Sequence, residues 1–158
     1  MPASNPTTIA EEQHFSWRLR VYYEDTDSGG VVFYANYLKF FERARTEWLR
    51  AAGVGQRALE ETDGAIFIVK NTSIDYHAPA KLDDELKVSV VVERLSRVSV
   101  DFLQQAWRLD DGAPTLLTTG RITVVCIDAK AFRPRAIPKQ VLEKIQSVSS
   151  PPTPHKKQ

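Results

Sequence analysis

One long amphipathic segment followed by four strand-like segments with short links is the feature that most restricts the fold of this chain. Residues 35–52 place Tyr37, Phe40, Phe41, Ala44, Trp48, Leu49 and Ala52 at helical spacing, with Lys39, Arg43, Thr46 and Arg50 opposite. Gly53 follows where a left-handed C-terminal cap belongs. Beyond it, residues 65–77, 85–95, 98–109 and 115–127 read as strands; in the second, Leu86, Val88, Val90 and Val92 alternate with Lys87, Ser89, Val91 and Glu93. Asp110-Asp111-Gly112-Ala113 is a hairpin turn, and the link at Ser96-Arg97 is short enough for antiparallel pairing. A first strand precedes the helix over residues 15–23, where Phe15, Trp17, Leu19 and Val21 alternate with Ser16, Arg18 and Arg20. A short helix is predicted over 138–146.

Helices and strands do not alternate along this chain, which argues against a doubly wound parallel sheet. A single apolar helix face needs a cover, and an antiparallel sheet of about five strands wrapped around that helix supplies one. The expected class is therefore α+β, in two layers. The chain's 158 residues suit one domain, expected over 15–146, with polar aperiodic extensions at 1–14 and 147–158 expected to be disordered.

Charge narrows the partners. With 21 basic and 20 acidic residues the net charge is +1, which gives no electrostatic reason to expect nucleic acid or an anionic membrane. No apolar run approaches the roughly 18 residues of a membrane span, and no secretory signal is visible, so the expected compartment is the cytoplasm. Cys126 is the only cysteine, which rules out an intrachain disulfide and a cysteine-based metal cluster. Within the apolar run Ile122-Thr123-Val124-Val125-Cys126-Ile127 it reads as a buried small hydrophobe.

Chemistry concentrates in the turn Glu24-Asp25-Thr26-Asp27-Ser28-Gly29-Gly30, between the first strand and the helix. Its glycines permit positive φ and close ligand approach. The helix start that follows offers N–H groups without intrahelical partners. A carboxylate beside an oxyanion-binding helix end is the minimum equipment for acyl transfer. Two other readings compete. A calcium loop counted from Asp25 finds glycine at its sixth position, but Gly29 at the fifth and Asn36 at the twelfth cannot supply the ligands required. The aspartates can also simply order a turn.

Read whole, Arg20-Val21-Tyr22-Tyr23-Glu24-Asp25-Thr26-Asp27, Gly29-Gly30-Val31-Val32, Ala35-Asn36-Tyr37-Leu38 and Glu42-Arg43-Ala44-Arg45-Thr46-Glu47 resemble the hotdog-fold acyl-CoA thioesterases of the 4-hydroxybenzoyl-CoA thioesterase class, within it the branch associated with the Tol–Pal envelope system. The segment from Asp75 to Asp84 and residues 130–138 extend the resemblance, which covers about residues 18–145. It implies hydrolysis of acyl-CoA thioesters without metal or cofactor, in a homo-oligomer (dimer or tetramer) whose active sites lie at subunit boundaries. The competing class is a non-catalytic module of the same fold that binds acyl thioesters or an acyl carrier protein in envelope lipid metabolism.

The resemblance also implies the roles of residues. Asp27 is the catalytic carboxylate, as nucleophile or general base. The N–H groups at Val32, Phe33 and Tyr34 hold the thioester oxygen. Asp25 orders the turn, and Tyr23 either orients water and substrate or packs in the core. Many members of this branch carry histidine where this chain has Tyr34, so acid–base help from that side chain is not expected at neutral pH. Phosphates of the carrier need cations. Arg97, in a short hairpin, is the first candidate, followed by Arg94 and Arg133, with Arg135 and Lys139 nearby. Arg45 projects into the apolar helix sector, so it is expected either to pair with Glu42 or to serve the active site or a subunit interface. His77, at a strand end with no second histidine near it, is expected to hydrogen-bond or pack.

Overall fold

The structure is a computed structural model that describes residues 14–149. Most of the two extensions lies outside the described residues. Five strands form one antiparallel sheet: β1 (Phe15–Arg20), β2 (Ala65–Tyr76), β3 (Glu85–Leu95), β4 (Ser99–Arg108) and β5 (Thr115–Asp128), in the order β1-β3-β4-β5-β2. The links at Ser96-Arg97-Val98 and at residues 109–114 make the two expected hairpins. β1 and β2 are the edges. β1 ends three residues earlier than its alternation suggests, because Val21 leaves the sheet: its N–H donates to Asp84 O (2.9 Å) and its carbonyl accepts from Asp83 N–H (3.0 Å).

Helix α1 (Asn36–Ala51) lies against one face of this sheet, burying Tyr37, Phe40, Phe41, Ala44, Trp48 and Leu49. It stops at a paired C-terminal motif. Gly53, at φ +88°, donates to Arg50 O (2.9 Å), and Val54 donates to Leu49 O (2.8 Å). The opposing sheet face contributes Leu86, Val88 and Val90 from β3, Val100 and Phe102 from β4, and Ile122 and Val124 from β5. Each such side chain removed from water contributes about 1.5–3 kcal/mol before entropy is counted. Gly120 lets the helix approach: a Cβ there would meet Phe41 Cε2 at 2.7 Å.

Two helices complete the fold. Helix α2 (Gln56–Asp63), which no sequence pattern predicts, is closed by Gly64 at φ +68° and buries only Leu59. Helix α3 (Lys139–Ser149) runs three residues past the expected 138–146, seating Val141 and Ile145 in the core. Cys126 is fully buried, and burial pushes its thiol up from its ordinary pKa. No helix among the described residues is long and apolar enough to cross a membrane.

The registers define two ends of the sheet. Arg20, Glu85, Arg108, Thr115 and Tyr76 lie at one, while Leu95, Ser99, Asp128 and Ala65 lie at the other. The chain between β1 and α1 is at the first end.

Candidate active site

Asp25 builds the turn that follows β1. Its carboxylate Oδ2 accepts the Tyr22 N–H (2.9 Å), closing a short 3-10 turn over Tyr23–Asp25. Its carbonyl accepts both Phe33 N–H (2.9 Å) and Asn36 Nδ2–H (2.8 Å). Asn36 is a buried polar residue at the first position of α1, so one residue ties the turn to the helix. Asp25 thus has the ordering role expected of it.

Asp27 opens the next turn. Its N–H donates to Val31 O (2.8 Å) and its carbonyl accepts from Gly30 N–H (3.0 Å). Its Oδ1 accepts Gly29 N–H at 2.8 Å and Val31 N–H at 3.4 Å. Gly30 carries φ +86°, a conformation that costs glycine little and other residues more. One carboxylate oxygen is thereby fixed by backbone. The other has no protein partner among the described residues, and the side chain is exposed.

The helix start then decides which N–H groups are open. Val32 donates to Ala80 O (2.9 Å) and Phe33 donates to Asp25 O (2.9 Å). Both are spent inside the protein, which corrects the expectation that they face a thioester oxygen. Tyr34 N–H has no acceptor among the described residues, and neither has that of Ala35, whose side chain provides no cap. The available donors therefore begin at Tyr34.

Aromatic rings frame this opening. The Tyr76 hydroxyl donates to Tyr34 O (2.9 Å), and the two rings meet edge to face with centroids 6.2 Å apart. Burial, reinforced by Tyr34, pushes the Tyr76 phenol up from its ordinary pKa, so it remains a donor at neutral pH. Val32, Tyr34, Tyr37, Tyr76, His77 and Pro79 line a cavity of about 330 Å³ beside the turn. His77 Nε2 lies 3.0 Å from Thr119 Oγ1, the hydrogen-bonding role expected of it. Tyr23 is 81% exposed, which removes the core-packing alternative for its side chain.

The three arginines assigned to phosphate lie elsewhere. Arg94 is the penultimate residue of β3 and Arg97 sits in the β3–β4 hairpin, both exposed and without a side-chain partner among the described residues. The Arg97 carbonyl accepts Ile137 N–H (2.9 Å), which lays the segment carrying exposed Arg133 beside that hairpin. From Glu85 to Leu95, β3 spans about 33 Å at ordinary strand rise. Within one chain, these cations and Asp27 occupy opposite ends of the sheet.

Arg45 does not make the expected pair with Glu42. Its Nη1 donates to Gln104 Oε1 (2.9 Å), while Glu42 turns outward and accepts the Thr46 hydroxyl (2.7 Å). The residue is half-buried, and its contact is a neutral amide from β4 rather than the helix carboxylate.

Fold and turn together define a hotdog-fold protein with a carboxylate at the mouth of its central helix. Residues 21–145 match the thioesterase-like superfamily, and the chain belongs to it. It is similar to the acyl-CoA thioesterase YbgC of Haemophilus influenzae, with 44% identity over 127 residues, covering 80% of this chain and 90% of that protein. It is 42% identical over 128 residues to the acyl-CoA thioester hydrolase YbgC of Escherichia coli, covering 81% of this chain and 92% of that one. A solved 4-hydroxybenzoyl CoA thioesterase, complexed with 4-hydroxybenzoyl CoA, shares the fold at TM-score 0.77 and 20% identity, covering 84% of this chain and 98% of the other.

Proposed function

We propose that this protein hydrolyses acyl-CoA thioesters, with Asp27 as the reacting carboxylate and Tyr34 N–H as the donor to the thioester oxygen. The observation that carries the reading is the pairing of a carboxylate held through one oxygen with an unspent N–H at the start of α1. Backbone donors fix Oδ1 and leave Oδ2 to attack the carbonyl carbon or to take a proton from water. As the carbonyl becomes tetrahedral its oxygen gains negative charge, and a donor positioned beforehand stabilises that charge more than it does the ground state. The dipole of α1 adds to the same end. The names of the relatives support the substrate class.

The reading includes a pair of chains as the working unit. β2 is an edge strand exposed from Val69 to Ser73, and Ile68 and Val69 are 37% and 49% exposed. An edge of that length invites pairing with another strand. Antiparallel pairing of two β2 edges turns one sheet end for end relative to the other. Asp27 of one chain then lies at the same end of the joined sheet as Arg97 of the partner subunit. In this arrangement the partner's Arg97 holds the nucleotide phosphates of a CoA thioester whose acyl end is at Asp27, with Arg94 and Arg133 in support.

Purified protein given a panel of acyl-CoAs with a thiol-capture dye tests the function. Release of CoA thiol is the expected result. Binding of acyl-CoA without release would assign the chain to the non-catalytic carrier-binding class.

A further inference from the structure

A second cavity, of about 170 Å³, lies between the C-terminal half of α1 and the sheet. Apolar residues, Trp48, Phe67 and Phe102 among them, supply two thirds of its lining, and Glu42, Arg45, Thr46 and Gln56 supply its polar part, in which Arg45 is the one basic residue. Arg45 is nine positions along α1 from Asn36, about 13 Å of helix axis. The Asp27 turn of the same chain is therefore in the other half of the domain.

The surroundings of this guanidinium are unusual for a half-buried cation. Of its five N–H donors, one reaches Gln104 Oε1 at 2.9 Å. Gln104 is fully buried, and its amide nitrogen donates to Phe41 O (3.1 Å) and Ser89 O (3.4 Å), which fixes the orientation of its carbonyl. Beneath the guanidinium, the Phe102 ring centroid lies 5.9 Å from Cζ. No carboxylate among the described residues lies within ion-pair distance of Arg45. Burial pulls its pKa down from the ordinary value and Glu42, from further off, pushes it back. Arginine stays charged under these conditions.

Glu42 also borders the cavity, but it is exposed and its carboxylate accepts the Thr46 hydroxyl. A charged group with unspent donors beside a mainly apolar wall asks for an anion that carries a hydrocarbon body. The volume sets the size of that body, since a cavity of roughly 150 Å³ accepts a benzene ring. We infer that this cavity binds a small apolar carboxylate, with the carboxylate on Arg45 and a ring or chain of benzoate size against Trp48, Phe67 and Phe102. Two sources share this chemistry: a free acid of the kind thioester hydrolysis releases, and an acyl group bearing a second carboxylate at the end remote from its thioester. The second source rests on the thioesterase reading; the site itself does not.

Titration of the full-length protein with 4-fluorobenzoate and its neutral isostere 4-fluorobenzamide, followed by ¹⁹F NMR, tests the site without any hydrolysis. The acid is expected to bind wild type at least about tenfold more tightly than the amide. Arg45→Met should erase that preference, and Arg45→Lys should keep part of it. Equal binding of acid and amide to wild type overturns the proposal whether or not the variants fold. An acid preference that survives in Arg45→Met overturns it too, by placing the anion elsewhere. Glutaryl-CoA and valeryl-CoA then separate the sources, because their acyl groups differ in a terminal carboxylate. A loss of kcat/KM in Arg45→Met at least about tenfold larger for glutaryl-CoA assigns the site to the acyl group. Equal effects on both, with the titration result intact, assign it to the free acid. If wild type hydrolyses neither, the titration alone decides the site, and the acyl-CoA panel decides the thioesterase reading.

Discussion

The hydroxyl of Tyr76 donates to the carbonyl of Tyr34 across 2.9 Å, joining the last residue of β2 to the residue whose N–H opens the helix end. β2 is also the edge proposed to pair between chains, so the bond links the proposed assembly surface to the proposed oxyanion donor.

Tyr76→Phe removes that bond and keeps the ring. A neutral hydrogen bond contributes about 0.5–1.5 kcal/mol net, so kcat should fall roughly two- to tenfold with KM nearly unchanged. Steady-state kinetics with a single acyl-CoA measures it. An unchanged kcat would show that Tyr34 holds its position without Tyr76.

Tyr34→Phe should be mild, with less than about a tenfold change in rate. The Tyr34 side chain is 64% exposed and its hydroxyl has no partner among the described residues, whereas its N–H belongs to the backbone and survives the change. A loss comparable with that of an Asp27 variant would make the hydroxyl catalytic.

The Phe41 ring rests on the backbone of β5 at Gly120. Gly120→Ala places a methyl group 2.7 Å from Phe41 Cε2, and Phe41 is fully buried. Overpacking of this kind costs about 1–3 kcal/mol, which a thermal melt should report as a Tm lower by several degrees. A Tm equal to wild type would mean that α1 can lift from the sheet at little cost.

Those elements were readable to very different degrees. α1 and the four strands after it carry long periodic patterns, and their ends moved by only a residue or two. α2 has eight residues and buries one of them, Leu59, so no periodicity marks it. The Asp25–Asp27 turn was found through its residue types. Which helix-end N–H groups remain open was not readable, because the Val32 acceptor is Ala80, far along the chain in a segment with no pattern of its own. Arg45 misled for the same reason: local spacing offered Glu42, whereas the partner that the fold supplies, Gln104, is 59 residues away.

Arg97→Ala should raise KM for acyl-CoA roughly ten- to a hundredfold while lowering kcat little, since a grip on the nucleotide end is equal in ground and transition states. Thioesters that lack the nucleotide should be hydrolysed equally by variant and wild type. Because Arg97 and Asp27 lie at opposite ends of one sheet, mixed dimers of Arg97→Ala and Asp27→Asn chains should regain a site with wild-type KM. Mixed dimers with no such site would place Arg97 and Asp27 of the same chain on one substrate molecule, or remove Arg97 from the site.

The central claim is that Asp27 carries the chemistry, and Asp27→Asn tests it with little disturbance of the turn. Asparagine keeps a carbonyl oxygen to accept from Gly29 and Val31 N–H, as Oδ1 does now, but has neither the charge to attack a thioester nor the basicity to activate water. The measurement is kcat for acyl-CoA hydrolysis by the variant, with a thermal melt to establish that it folds. A loss of at least about 100-fold at wild-type Tm is predicted. A folded variant that keeps more than about a tenth of the wild-type rate would contradict the assignment, since the loss of a nucleophile or general base costs at least that much.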